Sequence, residues 1–417
     1  MTTTLATWAI CTAATAGVIG RPWRLPEAVW AVAGSLALIV FGLLPWRDAW
    51  AGAARGWDVY LFLAGMMLLA ELARREGLFD WLAAHAARRA KGSPTRLFAL
   101  VYGVGVVVTA FLSNDATAVV LTPAVAAVAK VVKTREPLPY LFVCAFIANA
   151  ASFALPVSNP ANLVIYGAHM PPLLVWLPRF ALPSALSIAV TYAALRWTQR
   201  KRLRAPVSSD IPVPLLSAGG RMAAWGIGAT SASLLAASAL GADLGPPTFL
   251  AGAATAALVA WRSRRLPITV LRDISWGVLP LVAGLFVLVE ALEKTGVTKS
   301  LADALQVLFQ RSETLAAWTS GLALAFGCNV VNNLPAGLVA GRVAELAQAP
   351  EAVRAAALIG VDLGPNLSIT GSLATILWLH ALRREGHEVG AWTFLKLGAV
   401  VMPPALLLAL GAVVFGP

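Results

Sequence analysis

Apolar stretches long enough to cross a membrane recur along the whole chain. A membrane-spanning helix needs roughly 20 consecutive residues that are mostly apolar, and residues 276–291 lie within one such stretch. Hydrophobic residues make up 59% of the sequence and charged residues only 12%, whereas about 25% of the residues of a soluble domain are charged. Because backbone polar groups in lipid must be satisfied internally, these stretches predict an all-α integral membrane protein.

Basic residues outnumber acidic ones, which gives a formal net charge of +12, but they lie in short clusters between the apolar stretches. This distribution is typical of cytoplasmic loops of a membrane protein and does not indicate a nucleic-acid-binding surface. The cysteines have no CxxC spacing and lie in apolar surroundings, at Cys11, Cys144 and Cys328. No disulfide framework, zinc site or cofactor is therefore predicted.

The sequence contains an internal repeat. Sliding one half over the other by 219 positions aligns Trp57 with Trp276 and, without a gap, Asn114 with Asn333. Such coincidences of tryptophan and asparagine indicate a duplication in a chain rich in alanine and leucine. The predicted units are a first inverted repeat at 1–197, a cytoplasmic linker at 198–220 and a second inverted repeat at 221–417.

Each repeat is predicted to hold three apolar helices, two interrupted segments and a final helix. The longer interrupted segments, near 96–132 and 313–348, are interpreted as re-entrant hairpins, and those near 138–168 and 353–381 as discontinuous helices. A hairpin leaves five crossings in each repeat, and this odd number gives the two repeats opposite orientations. Ten transmembrane helices, with the linker in the cytoplasm, place both termini on the outer side of the inner (plasma) membrane.

Four helix breaks, paired by the repeat, form the candidate binding site. Non-helical backbone at membrane depth occurs only where it is buried in protein or lines a wet cavity, and matched discontinuous helices indicate a substrate site near the midplane. Free N–H groups and side-chain amides suit a small neutral polyhydroxyl solute or an anion. The alternative role of each asparagine is a helix cap or a helix–helix contact. The predicted substrate-binding residues are Asn114, Asp115, Thr117, Ser158, Asn159, Asn162, Asn332, Asn333, Asn366, Ser372 and Thr375.

Two aspartates lie at these breaks, Asp115 in the first half and Asp362 in the second. Acidic residues at membrane depth are costly and usually functional. Each aspartate is therefore a candidate proton carrier, and the alternative is a permanently hydrogen-bonded structural carboxylate.

The segments around the breaks resemble those of ArsB-type arsenite/antimonite efflux permeases, in the ArsB/NhaD branch of the ion-transporter superfamily. The resemblance covers nearly the whole chain, and its most specific segments are FLSNDATAVVLTP at 111–123, FIANAASFALPVSNPANLV at 146–164, NVVNNLPAGLVAG at 329–341 and DLGPNLSITGSLATILWLHALRREG at 362–386. It implies export of neutral arsenous or antimonous acid in exchange for protons, in some members energised by an ArsA-type ATPase.

One position departs from the family pattern. Where members often carry an acidic residue, this chain has Asn149, which moves the expected proton coupling to Asp115 and Asp362. The soft sulfur of Cys328, four residues before Asn332, has an affinity for trivalent arsenic. A lone buried cysteine is more often an inert small hydrophobe, and a tight thiolate bond would slow release, so a thiol contact is not the favoured interpretation.

Two other functions of the same superfamily stay open on the sequence. A sodium/proton antiporter needs oxygen ligands, including carboxylates, around a cation, and the two aspartates could supply them. A carboxylate or other anion carrier would use Ser-Asn-Thr tips, which the Ser158-Asn159-Pro160 segment matches only partly. A membrane-embedded enzyme is disfavoured because the histidines are dispersed along the chain.

Overall fold

The computed structural model describes residues 2–167, 170–209, 211, 213–263 and 268–416. Every regular element in these ranges is a helix, which confirms the predicted all-α class. Position 168, at the end of a predicted discontinuous segment, lies outside the described residues. Within the described ranges, seven helices are long and apolar enough to cross a membrane, or eight if one bent pair is a single span. Ten helices were predicted; some predicted crossings are shorter helices, such as Glu27–Val40.

The first half consists of helices joined mostly by short turns. The three-residue helix α7 continues through a π turn at Thr117–Leu121 into α8. The helices are α1 (Thr2–Gly20), α2 (Glu27–Val40), α3 (Trp46–Ala54), α4 (Trp57–Arg75), α5 (Leu78–Ala90), α6 (Pro94–Phe111), α7 (Asn114–Ala116), α8 (Thr122–Val131), α9 (Leu138–Ala150), α10 (Pro160–Tyr166) and α11 (Leu173–Gln199).

The second half follows the same order, and its hairpin segment is formed by α17 and α18. The helices are α12 (Ala218–Ala239), α13 (Gly245–Ser263), α14 (Ile268–Asp273), α15 (Val278–Lys294), α16 (Val297–Arg311), α17 (Glu313–Val331), α18 (Asn333–Leu346), α19 (Glu351–Leu363), α20 (Leu373–Arg384) and α21 (Ala391–Phe415).

Several helix ends repeat at the offset of 219 residues. Helices α5 and α16 each begin directly after a glycine in the left-handed conformation, Gly77 (φ 74°) and Gly296 (φ 83°). Helices α6 and α17 each begin after a serine, Ser93 and Ser312, whose hydroxyl oxygen accepts a hydrogen bond from the backbone three residues further on. These matched ends support the predicted duplication, and the opposite orientation of the two repeats stays a prediction.

Two glycines at corresponding positions allow the halves to interlock. A Cβ atom on Gly65 in α4 would come within 2.5 Å of the carbonyl oxygen of Thr248 in α13. A Cβ atom on Gly284 in α15 would come within 2.8 Å of the carbonyl carbon of Ala31 in α2. Because only glycine permits these approaches, α4 and α15 each pack closely against a helix of the other half.

The linker binds both ends of the first hairpin segment. The backbone N–H of Val207 donates to the carbonyl oxygen of Gly92 (3.2 Å), just before α6, and the N–H of Ser208 donates to that of Val132 (2.9 Å), just after α8. The chain therefore enters and leaves the α6–α8 segment at the same face of the molecule. This face is called the linker side below.

Two amphipathic helices at corresponding positions were missed by the sequence analysis. Helix α5 packs against α6 and α8, and helix α16 packs against α17 and α18, so each contacts both arms of a hairpin segment. Helix α5 carries Asp80, Arg88 and Arg89, and a search for continuous apolar spans does not find such a mixed helix.

Gly364, in the turn that follows α19, is expected to be intolerant of a side chain. Its Cβ position lies 2.3 Å from the carbonyl oxygen of Ala325 in α17. We expect Gly364→Ala to destabilise the protein by about 1–3 kcal/mol because the added methyl group forces the two backbones apart. The matched control is Gly327→Ala, also at α17, where a Cβ atom meets nothing within 4 Å. Thermal unfolding in detergent is the measurement, and equal melting temperatures for the two variants would contradict the expectation.

Candidate functional site

Both discontinuous helices break at turns that contain proline. The chain passes from α9 to α10 through a 3₁₀ turn at Pro156–Ser158, and from α19 to α20 through one at Gly364–Leu367. Proline has no N–H to donate into a helix, so the helical hydrogen bonds end there. Helix α10 restarts with Asn159 as its cap and helix α20 with Ser372, each accepting a backbone hydrogen bond through its side chain.

The two breaks meet through a hydrogen bond between Asn159 and Asp362. The amide Nδ2 of Asn159 donates to Oδ1 of Asp362 over 2.7 Å, and Asp362 is fully buried, with 0% exposure. The hydroxyl of Ser152 lies near this carboxylate but donates to the carbonyl oxygen of Asn149 over 2.7 Å. Within the described part of the chain, Oδ2 of Asp362 has no hydrogen-bond partner. A proton could bind there without displacing an existing donor.

Asn149, at the end of α9, joins the first half to both sides of the second break. Its Nδ2 donates to Oδ1 of Asn366 (3.0 Å) and to the hydroxyl of Thr375 (3.2 Å). Its Oδ1 accepts from the hydroxyl of Ser372 (3.2 Å). Asn366 in turn donates to the carbonyl oxygen of Phe146 (3.0 Å). An ionised carboxylate at position 149 would lack the two amide donors, so asparagine at this departure from the family pattern has a clear structural role.

The first hairpin tip, before α8, is held by local hydrogen bonds. Oδ1 of Asn114 accepts from the backbone N–H of Asp115 (2.9 Å). The hydroxyl of Thr117 lies 2.8 Å from that of Thr109 in α6. The described residues donate no hydrogen bond to the carboxylate of Asp115, which leaves it available for a solute or a proton.

The second hairpin tip, between α17 and α18, is fastened to the loop that precedes α20. Asn332 has a left-handed backbone (φ 73°), which asparagine tolerates better than most residues. Its Nδ2 donates to the carbonyl oxygen of Thr370 (3.1 Å), and the backbone N–H of Asn333 donates to that of Gly371 (2.9 Å). Oδ1 of Asn333 is buried and has no partner among the residues that the structure describes.

Ser158 and Asn162 hold the α9–α10 turn in shape. The hydroxyl of Ser158 donates to the carbonyl oxygen of Ala110 at the end of α6 (2.9 Å). Nδ2 of Asn162 donates to the carbonyl oxygen of Ser152 (2.9 Å). Both side chains are completely buried, and neither lines either of the two cavities described next.

Asp115 is the predicted site residue that faces open space. It lines a cavity of about 80 Å³ between α4, the first hairpin tip and the start of α10. A single site near the midplane, as predicted from the four helix breaks, would place Asn114, Asn333 and Asp362 beside Asp115. These three residues do not line this cavity. Pro160 is part of the wall, and the next residue back along the chain is Asn159, the hydrogen-bond partner of Asp362.

A larger cavity of about 830 Å³ adjoins the first and shares Glu71 and Asp273 with it. Its wall includes Glu71 and Arg74 at the end of α4. Glu76, directly after α4, is bound to the linker, since the hydroxyl of Ser217 donates to its carbonyl oxygen (3.3 Å). The larger cavity therefore lies on the linker side. Its charged and titratable lining residues are Arg21, Glu27, Glu71, Arg74, Asp273, His380, Arg384 and Glu385.

The smaller cavity is acidic and otherwise mainly apolar. Among the residues that the structure describes, its lining includes Glu71, Asp115 and Asp273 but no lysine or arginine. Glu71 accepts hydrogen bonds from Arg74 (2.8 Å) and Arg75 (2.9 Å). Because these guanidinium groups already bind Glu71, Asp115 is the carboxylate best placed to meet a solute.

Cys328 does not contribute a thiol to either cavity. Its side chain is 0% exposed, and its contact with the hairpin tip is made by the backbone, since its carbonyl oxygen accepts from the N–H of Asn332 (2.8 Å). Cys11 and Cys144 are buried as well.

We expect Cys11, Cys144 and Cys328 to be replaceable by serine or alanine, singly and together, with the export that the family resemblance implies largely retained. Buried thiols of this kind act as small apolar side chains. Export by the three single variants and the cysteine-free protein, normalised to the folded amount, is the measurement. Loss of export by a well-folded Cys328→Ser variant would instead assign the thiol to the substrate path.

The α4 wall of the smaller cavity was not found from the sequence. Residues of α4, including Phe62, Leu63, Met66 and Met67, line it, but this helix reads as an ordinary apolar crossing. Asn329 was missed as well; its Oδ1 accepts a hydrogen bond from the hydroxyl of Ser368 (2.6 Å). Asn329 lies about one helical turn before the Asn332-Asn333 break, and this position could have marked it as a candidate in the sequence.

The sequence matches a family model described as "Citrate transporter" (CitMHS) over residues 11–361. The chain belongs to this family. Among its relatives, an arsenical pump membrane protein of Yersinia enterocolitica is 28% identical over 372 residues, which cover 85% of this chain and 86% of the relative. One of Escherichia coli is 28% identical over 417 residues and 95% of both chains. These similarities confirm the resemblance to ArsB-type permeases and identify this citrate transporter family member as a membrane transporter.

Two solved structures share the fold of this CitMHS family member. The YdaH transporter of Alcanivorax borkumensis, described as having an unusual topology, superposes with a TM-score of 0.57 at 19% identity and covers 88% of this chain and 86% of its own. The efflux pump MtrF of Neisseria gonorrhoeae gives a TM-score of 0.52 at 16% identity, with coverage of 90% and 84%. At these identities the likeness establishes a membrane-transporter fold.

Proposed function

We propose that this protein exports arsenite, and antimonite with it, from the cytoplasm in exchange for protons. The observation that carries the proposal is the carboxylate of Asp115, which faces a small, largely apolar cavity and receives no hydrogen bond from the described residues. A carboxylate accepts hydrogen bonds from the hydroxyl groups of a neutral solute, and it can also take up a proton. The relatives named arsenical pump membrane proteins support arsenite as the substrate.

The name of the family suggests citrate, but the smaller cavity does not suit a polycarboxylate. Among the described residues its lining includes no lysine or arginine. The arginines beside it already pair with Glu71 and Asp273, and Asp115 adds a carboxylate without such a partner. A buried anion needs a cation or several hydrogen-bond donors to offset its desolvation, and like charges raise that cost further. A neutral hydroxylated metalloid avoids both costs.

A sodium/proton antiporter is the second candidate. The observation in its favour is a set of buried oxygens without hydrogen-bond partners among the described residues, on Asn162, Asn333 and Asp362. Hard cations bind such oxygens. Sodium-dependent proton movement in the same vesicles therefore separates the two candidates.

In the proposed cycle, Asp115 exchanges the solute for a proton at the cavity, and the buried Asp362 is a second proton site outside the cavity lining. The linker side faces the cytoplasm and both termini face outward, because most basic clusters lie on the linker side. The two halves act as inverted repeats that expose the cavity to each side in turn. This exchange is driven by the proton gradient and the membrane potential together; an ArsA-type ATPase, as in some members of the resembled family, would be an additional partner.

The test is uptake of radiolabelled arsenite into inverted membrane vesicles, with and without an acidic lumen. We expect accumulation that depends on the proton gradient and is unaffected by sodium. Arsenite uptake that is the same with and without the proton gradient would contradict the proposed proton coupling. Sodium-driven proton movement without any arsenite uptake would replace the proposal by the antiporter.

A further inference from the structure

Two adjacent methionines, Met66 and Met67 in α4, line the same cavity as Asp115. The chain has only six methionines, and two of them meet at this cavity. Met66 is 4% exposed, and Met67 is half-buried. The wall beside the carboxylate thus includes two polarisable thioether side chains.

The thiols of the chain lie elsewhere. Cys11, Cys144 and Cys328 are buried, and none lines the smaller cavity or the larger cavity next to it. Thioethers are therefore the sulfur groups that a solute in these two cavities can meet.

Packing alone does not require sulfur at these positions. At the repeat offset, Gly65 corresponds to Gly284, so the gap-free counterparts of Met66 and Met67 are Leu285 and Phe286 in α15. Helix α15 approaches α2 of the other half closely at Gly284, and it does so with leucine and phenylalanine at the two positions that follow. Val278 of α15 also lines the cavity, but Leu285 and Phe286 are not among its described lining residues. The two methionines thus distinguish the lining part of α4 from its counterpart in α15.

We infer that Met66 and Met67 form a soft contact surface for the metalloid atom and set the preference between antimony and arsenic; this inference rests on the proposed function. Thioether sulfur is a soft, polarisable donor. A thiol would condense with an As–OH group, forming an S–As bond and releasing water. A thioether has no S–H proton to give up, so its contact stays non-covalent and the solute can leave. Asp115 accepts hydrogen bonds from the hydroxyl groups while the sulfur side chains contact the metalloid.

The experiment compares arsenite and antimonite uptake by Met66→Leu, Met67→Leu and the matched control Met402→Leu, which is fully buried in α21 and lines neither cavity. Leucine nearly conserves the volume of methionine, so a side chain that only fills space is replaced with little effect. We expect the apparent KM for antimonite, the softer metalloid, to rise about threefold or more in the cavity variants, a typical size for a single sulfur contact. The KM for arsenite should rise less, and the control should be unchanged.

Equal KM values for wild type and cavity variants, or equal rises for both metalloids, would overturn the inference while leaving the proposed function intact. Absence of metalloid uptake by the wild-type protein would overturn both. A second measurement needs no variant: the rate of sulfoxide formation at each methionine is followed by mass spectrometry with and without antimonite. We expect protection at Met67 and none at Met222, a half-buried methionine outside both cavities. Equal oxidation rates at Met67 with and without antimonite would contradict the contact.

Discussion

Asp115→Asn is expected to abolish uphill arsenite transport while substrate binding persists. Asparagine keeps the size of the side chain and one acceptor oxygen, but it cannot carry a proton. A one-for-one exchange across a gradient of one pH unit can sustain about a tenfold accumulation, because one pH unit is worth about 1.36 kcal/mol. The variant should only equilibrate the solute. The measurement is the accumulation ratio in inverted vesicles, beside protection of the detergent-solubilised protein from thermal unfolding by arsenite.

Asp273→Asn is the matched control, since Asp273 also lines the cavity but binds arginine side chains at its edge. Its accumulation ratio should stay close to that of the wild type.

Exchange of a neutral solute for a proton also moves one charge inward, so wild-type export should respond to voltage by about 2.3 kcal/mol per 100 mV. Full uphill transport by both Asp115→Asn and Asp362→Asn would show that neither aspartate carries the proton.

Asn159→Leu is expected to cause the largest loss of stability among the substitutions considered. Leucine removes the 2.7 Å donor to Oδ1 of Asp362, which leaves a fully buried carboxylate without its partner. It also removes the cap of α10, because Oδ1 of Asn159 accepts from the backbone N–H of Ala161 (3.0 Å). Loss of the cap costs about 1 kcal/mol, and a buried acceptor left without its donor costs about 1–3 kcal/mol. The melting temperature in detergent should therefore fall strongly.

The double variant Asn159→Leu/Asp362→Leu distinguishes the two causes. Replacing both partners by apolar groups removes the unsatisfied acceptor but does not restore the cap, so the double variant should be more stable than Asn159→Leu alone. Its coupling energy is expected to be about 1–3 kcal/mol. Strictly additive effects would mean that the hydrogen bond between the two breaks contributes nothing to the fold.

The class of fold was predictable because its signals are local. Long apolar stretches, the repeat at offset 219 and the polar breaks all lie in the printed sequence, and the helices end near those breaks. Asn159 and Asp362 were both selected from such breaks, and the structure joins them by a hydrogen bond. Their direct contact was not predictable, since it depends on how two segments 203 residues apart pack together.

The cavity itself depends on tertiary packing. Most of the selected asparagines, such as Asn366, turn out to bind protein groups, and their local sequence does not distinguish this from an open position. The α4 wall consists of side chains that are ordinary in any apolar helix, and only the approach of the first hairpin tip makes Met66 and Met67 cavity residues. The amphipathic helix α5 was missed for a related reason. Its mixture of apolar and charged residues makes sense only once α6 and α8, which it covers, are in place.

The two hairpin segments differ in how they are restrained. The first is tied at both ends by backbone hydrogen bonds from Val207 and Ser208, which do not depend on side-chain charge. In the second, a backbone hydrogen bond from Asn333 holds the tip, and Arg342 near the end of α18 forms ion pairs with Glu293 of α15 and Glu345 of its own helix. Because salt screens partly exposed ion pairs far more than it weakens amide hydrogen bonds, high ionic strength should loosen the end of the second hairpin before the ends of the first. The duplicated halves would then respond unequally to the ionic composition of the medium.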